Sequence, residues 1–422
     1  MKMVHIKWKV LRGLAMLMSA GTVMAQLPAR DTNLDETLRQ AEEVMAASNK
    51  DFVNAAKEVN RVFQAARALH EKGDETKAAE YFAKGLQLSP WSLEEQLVYA
   101  EVLKKLKRDE EAVEIGEMVV KRAETDALAN EALKLLGRGP VEGPTVFKGP
   151  SEGPWLCFIK VGPVEDIVMK EAMERISLTL GMPAYLAPDT LGLPAADRSA
   201  LDRWVTRQVI PGIKWSHPVA RQLLKDLGGE VPTDVAPKKL LRGLVEQMRS
   251  DGQDVQAENL EKEIRHFEKW DKQWRATGLL KMLQSYLLRT PMPGTVTVVG
   301  VTGADLCDDE VNFLFGSALT GGKLAVTSYA RYTAEFNHVP PERKKVLSRL
   351  HKQLLSGIGY ALGVPRPTDP TSARAYPASL AEHDAKSEYM SAACRAGFEK
   401  ALGRKLPMEA MPPELRGPLR PK

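Results

Sequence analysis

The chain has 422 residues, 44% of them hydrophobic and 27% charged. That balance excludes a disordered, collagen-like or membrane-filling protein and allows two or three domains with sizeable cores. The formal charge of +4 is carried by Lys2, Lys7, Lys9 and Arg12 at the very start, and the remainder is neutral, so the pI of about 8.7 gives no reason to expect a nucleic-acid partner.

Taken from the N-terminus, residues 1–25 read as a secretory signal peptide. A basic start precedes an apolar run, residues 10–20, that is too short to cross a bilayer, and Val23 and Ala25 stand at the −3 and −1 positions of a cleavage site. The mature protein is expected to begin near Gln26 and to be exported, periplasmic or secreted. The other reading of this stretch is an N-terminal membrane anchor. No later segment approaches the length needed to span a membrane. The three cysteines, Cys157, Cys307 and Cys394, are too few for a disulfide framework, although one pair could bridge.

Residues 26–136 are predicted to be all-helical. Ala66 recurs as Ala100 and Ala78 as Ala112, a period of 34, and Gly73, Asp74, Ala78, Phe82, Gly85 and Pro90 resemble a tetratricopeptide repeat. Small residues at these spacings let paired helices approach closely. A generic helical hairpin bundle is the plainer alternative. Residues 137–154 carry four Gly-Pro steps, which exclude helix and central strand and predict a semi-rigid linker.

A second domain is expected over residues 155–402, with a tail at 403–422. Residues 155–161 are β-rich and 166–180 read as an amphipathic helix. Within a largely helical stretch, 217–290, Leu260, Ile264, Phe267, Trp270 and Trp274 recur at helical spacing, as do Leu279, Leu280, Leu283 and Leu287, and both sets read as core. Residues 295–301 and 324–328 read as strands. Residues 342–362 read as a helix with Val346, Leu350, Leu354 and Ile358 along one face. The run 316–323 has the glycines of a phosphate loop at the wrong spacing: Gly322 precedes Lys323 and Leu324 follows it. The seven histidines contain no i, i+4 pair.

Three segments carry a resemblance. Asp305-Leu306 ends a strand, Asn312, Phe313, Phe315 and Gly316 follow, and a further strand ends in Ser328 and Arg331. Residues 356–394 then keep the frame of a metal motif, with Gly363 on its glycine and Cys394 on its last cysteine; Ser379, Leu380, Asp384 and Lys386 match the segment beyond the motif's methionine. Together these resemble the archaemetzincin family of zinc peptidases, over roughly residues 155–402, with 217–290 as a helical insertion. The resemblance implies an α+β fold, a metzincin-like mixed sheet with helices, beside the all-α N-terminal part.

It also implies where zinc would be held, and those places carry other residues. Ser356, Tyr360 and Arg366 stand for the three ligand histidines, and Gly357 for the general-base glutamate. Pro367, Ser372 and Ser391 stand for three of the four cysteines of a structural zinc, with Cys394 remaining, and Ala373 replaces the turn methionine. Catalytic zinc needs three protein ligands and a water, with imidazoles one helical turn apart. Neutral hydroxyls are poor ligands, a guanidinium is a permanent cation, and glycine cannot take a proton from water.

The expectation is therefore a non-catalytic protein, without cofactor, that binds a protein or peptide partner and no nucleic acid. Lys323, Ser328, Arg331, Tyr360 and Arg366 are its candidate cleft residues. Arg366 is expected either to hold an anion or, more readily, to pair internally with an acid such as Glu382 or Asp384. Two rival readings are a zinc peptidase using His338, His351, His383 or Asp384, and a protein whose working part is the repeat region.

Overall fold

A computed structural model describes residues 52–148, 153–205, 209–210, 237–309, 311–377 and 379–407. The expected signal peptide, residues 217–236 of the expected insertion and residues 408–422 of the expected tail lie outside these residues. The chain divides into two compact units. One holds residues up to Pro144 with Glu165–Ala172 and Tyr332–Ser348. The other holds Thr145–Val164, Met173–Arg331 and the chain from Arg349 onward.

The first unit is helical: α1 Phe52–Glu71, α2 Glu75–Leu88, α3 Leu93–Lys105, α4 Asp109–Arg122 and α5 Asp126–Leu135. Each helix packs on its neighbour in sequence. Ala66, Ala78, Ala100 and Ala112 are all fully buried, two in each of two successive cores. The close approach is tightest at Gly85, where a Cβ would meet the Phe63 ring at 2.5 Å. Carboxylates cap later helix starts within this unit. Asp126 accepts from the Asp166 and Ile167 amides, and Glu124 from those of Ala334 and Glu342.

The second unit is mixed α/β. Its strands are β1 Trp155–Lys160, β2 Ala184–Leu186, β3 Arg198–Ser199, β4 Lys272–Arg275, β5 Thr295–Thr302, β6 Asp305–Asp308, β7 Val311–Leu314, β8 Gly316–Leu319 and β9 Leu324–Ser328. The larger sheet runs β2-β1-β5-β9-β8, parallel throughout except for β8, which pairs antiparallel with β9 at the edge. β1, β5 and β9 are almost wholly buried, as the continuous apolar runs of parallel strands require. A smaller sheet runs β3-β4-β6-β7.

The helices named here are α6 Asp166–Leu180, α7 Pro237–Ser250, α8 Asp254–Trp270, α9 Ala276–Arg289, α10 Arg343–Ala361, α11 Leu380–Ala385 and α12 Ala392–Leu402. Among the described residues no helix is long and apolar enough to cross a membrane.

Three details differ from the sequence expectation. Trp274 does not continue the helical run that includes Trp270; it lies in β4, opposite Leu306 of β6, and its indole donates to the Pro194 carbonyl. α9 does not pack with the rest of the expected insertion: Leu279, Leu280 and Leu283 bury into the core of the larger sheet, whereas α7 and α8 share a separate small core. The Gly-Pro segment is anchored at Val146 and Phe147. The Phe147 amide bonds Leu186 of β2, and its ring stacks on Trp155 at 4.4 Å.

Candidate functional site

α10 carries the residues on which the metal frame falls. Val346, Leu350, Leu354 and Ile358 are buried along one face as their spacing predicts. The helix stops at Gly363, which takes a left-handed φ of +74°. The amides of Gly363 and Val364 turn back to the carbonyls of Tyr360 and Gly359, the double bond of a Schellman cap. The β8–β9 turn is tied to the same end, with Gly321 donating to Tyr360 and Lys323 to Ala361.

Tyr360 and Arg366 come together. The exposed Arg366 guanidinium lies 5.1 Å from the Tyr360 ring centre and 4.9 Å from that of Tyr376. This is cation–π stacking on two faces. Arg366 does not pair with Asp384, one of the two acids named for it: Arg349 takes that carboxylate through two bonds of 2.7 Å. Ser356 lies one turn before Tyr360 on α10 and is half-buried.

Cys394, the one cysteine left of the four places, touches a buried guanidinium. Arg374, fully buried, donates to the Val364 and Pro365 carbonyls at 2.8 and 3.1 Å and lies 3.5 Å from Cys394 Sγ. It also faces the Phe398 and Tyr360 rings, at 5.3 and 5.6 Å. Ser372 Oγ accepts from the Ser391 amide, and Ser391 Oγ caps α12 by accepting from Cys394. Gly359 makes room for this arginine, since a Cβ there would stand 2.2 Å from Arg374 Cζ.

Two more buried cations line the same region. Lys352 Nζ donates to the carbonyls of His383 and Lys386, and Lys386 Nζ to those of Ala373 and Ala375. Burial, then the Lys352 and Arg366 charges, pull the Lys386 ammonium down to about 8. Burial first, then Lys386 and Lys352, holds His383 down at about 3, and burial holds His351 at about 4.

The other candidate cleft residues are engaged elsewhere. Ser328 Oγ donates to Ala304 at 2.6 Å and accepts from the Ala330 amide. Arg331 grips Asp305 through two 2.7 Å bonds and lies 4.0 Å over Phe313, while Gln273 holds the other side of Asp305. A Cβ on Gly316 would stand 2.5 Å from the Val326 carbonyl. Asp305, Phe313, Gly316, Ser328 and Arg331 thus form a clasp joining β6, β7, β8 and β9. Lys323 is exposed in the β8–β9 turn, at φ +59°.

Sequence reasoning missed Gly359, Lys352, Arg374 and Tyr376. The one available signal was a second glycine, Gly359, inside a helix, where glycine costs stability unless something needs the space.

The chain resembles archaemetzincins. It is 32% identical over 109 residues to the archaemetzincin of Pyrococcus furiosus, covering 26% of this chain and 57% of that protein. It is 28% identical over 178 residues to that of Pyrococcus abyssi, covering 42% and 93%. The chain therefore spans little more than half the length of the first of these relatives. The crystal structure of archaemetzincin from Methanopyrus kandleri matches with a TM-score of 0.36 and 19% identity, over 60% of this chain and 99% of that one. No family model matches.

The donor set does not fit zinc in either frame. At the first, two hydroxyls and a ring-stacked guanidinium offer no imidazole or carboxylate. At the second, one thiol faces an arginine that already occupies the space between the carbonyls. Among the described residues no three His, Cys, Asp or Glu side chains converge to hold a metal, His338, His351, His383 and Asp384 included.

Proposed function

We propose that this is an exported protein in which an archaemetzincin-like domain serves, without zinc and without peptidase activity, to bind a peptide or protein partner, beside a tetratricopeptide-like helical region. The observation that carries this reading is the substitution of cations for metal. Arg374 lies against Cys394, the one cysteine left of the four places, and Arg366 stacks on Tyr360 where two ligand histidines would stand. The antiparallel edge strand β8 offers unpaired backbone groups to an extended peptide, the usual route of strand addition.

The test is metal content with activity. After dialysis the full chain is expected to carry far less than one zinc, to keep its melting temperature in a chelator, and to leave peptide substrates intact. About one zinc per chain together with chelator-sensitive cleavage would favour a working zinc peptidase with unusual ligands.

A further inference from the structure

Four cations lie along the second half of α10 and in the chain beyond it, and none has a carboxylate partner among the described residues. Lys352, Arg374 and Lys386 are buried and bonded to main-chain carbonyls, and Arg366 is exposed on two rings. The acids that Lys352 senses are engaged by others, Asp384 by Arg349 and Glu388 by Arg175. Carbonyl dipoles solvate a buried cation but do not cancel its charge, so the region keeps a positive field that low-dielectric surroundings screen poorly.

Arg366 is the one of the four that a ligand can reach. Its guanidinium is in cation–π contact with both Tyr360 and Tyr376. That restraint removes much of the side-chain entropy a free surface arginine would lose on binding. The edge of the guanidinium remains as a planar set of donors suited to a carboxylate.

We infer that Arg366, in contact with the Tyr360 and Tyr376 rings, is a receptor for a carboxylate. The inference deepens the peptide-binding reading and rests on it for the molecule that carries the acid. Two sources are distinguishable, a Glu or Asp side chain and a peptide C-terminus.

The test is calorimetric titration of the full chain with three short peptides. The first contains glutamates and an amidated C-terminus, the second is its glutamine isostere, also amidated, and the third is the glutamine peptide with a free C-terminus. Either carboxylate-bearing peptide is expected to bind at least about tenfold more tightly than the amidated glutamine peptide, and Arg366→Gln to abolish that advantage. Tyr376→Leu, which removes one of the two rings at an exposed position, should weaken the same binding several-fold while leaving the melting temperature unchanged. Peptides that bind with no preference for the carboxylate, or equally to Arg366→Gln, would overturn the inference and leave peptide binding standing. If no peptide binds but glutarate still shifts the Arg366 side-chain NMR signal, the carboxylate receptor stands and the peptide-binding reading falls. No response to peptides or glutarate removes both.

Discussion

Arg374 and Gly359 form a pair whose coupling has a predictable sign. In an ordinary helix interior, Gly→Ala stabilises by about 1 kcal/mol. At Gly359 the new methyl would stand 2.2 Å from Arg374 Cζ and 2.4 Å from Nε and Nη2, and the guanidinium is fixed by two carbonyls and two rings. Overpacking of this kind costs about 1–3 kcal/mol, so Gly359→Ala should destabilise the protein despite the gain in helix propensity. Arg374→Ala should cost about 3–5 kcal/mol, from a cavity and from two carbonyls left without donors. In that background Gly359→Ala has room, and its effect should reverse to a gain of up to about 1 kcal/mol. The assay is a double-mutant cycle read by thermal and urea unfolding, with the sign of the Gly359→Ala shift compared in the two backgrounds. If Gly359→Ala raises the melting temperature of the unsubstituted protein, the guanidinium does not sit where it is described, and the account of the cysteine frame fails with it.

Acid should destabilise the second unit through His351 and His383. Their folded pKa values, about 4 and about 3, lie below the ordinary 6.5, so their neutral forms support the fold above pH 6.5 and that support is lost as pH falls toward 4 and 3. The loss is about 3 kcal/mol or more per histidine, and a melting profile no flatter in His351→Gln or His383→Gln than in the parent would count against it. Lys386 acts at the other end of the scale: its folded value near 8, below the ordinary 10.5, means that stability rises between pH 8 and 10.5, and Lys386→Met should abolish the rise. Asp305→Asn should cost about 3–5 kcal/mol by leaving Arg331 without its buried acid; a melting temperature within a degree or two of the parent would exclude the clasp. Ala78→Phe should cost about 1–3 kcal/mol in the helical unit, and an unchanged melting curve would argue against close packing at that fully buried position.

Elements with long periodic signals were legible from sequence. The stripe Val346, Leu350, Leu354 and Ile358 is buried, Gly363 ends its helix in the left-handed region, and the apolar run at 295–301 is a central strand. Trp274 was misread because a four-residue strand directly after a helix has too few residues to show its own period. Phe147 was missed because glycine and proline dominate its surroundings, while its anchoring depends on Trp155 and β2, contacts that no local pattern encodes. Ser328 and Arg331 were legible as a motif but not as a clasp: sequence shows that polar residues recur, whereas only the fold shows that Asp305 and Ala304 already satisfy them. Arg374 was invisible for a related reason, since its place depends on a space left by Gly359.

Charge links the two frames at the end of α10. The last carbonyls of a helix lack intrahelical partners and carry the negative end of its dipole. Here the chain beyond α10 turns further carbonyls toward the same region, at Val364, Pro365, Ala373 and Ala375. Buried oxygens facing inward require hydrogen-bond donors. In this chain Arg374, Lys386 and Lys352 supply those donors. A guanidinium or ammonium satisfies carbonyls as a metal could, yet it cannot polarise a substrate carbonyl as a Lewis acid or lower the pKa of a bound water toward 7. This arrangement holds three of the four cations on main-chain carbonyls. It leaves Arg366, the one exposed cation of the four, as the group through which that field can reach a ligand.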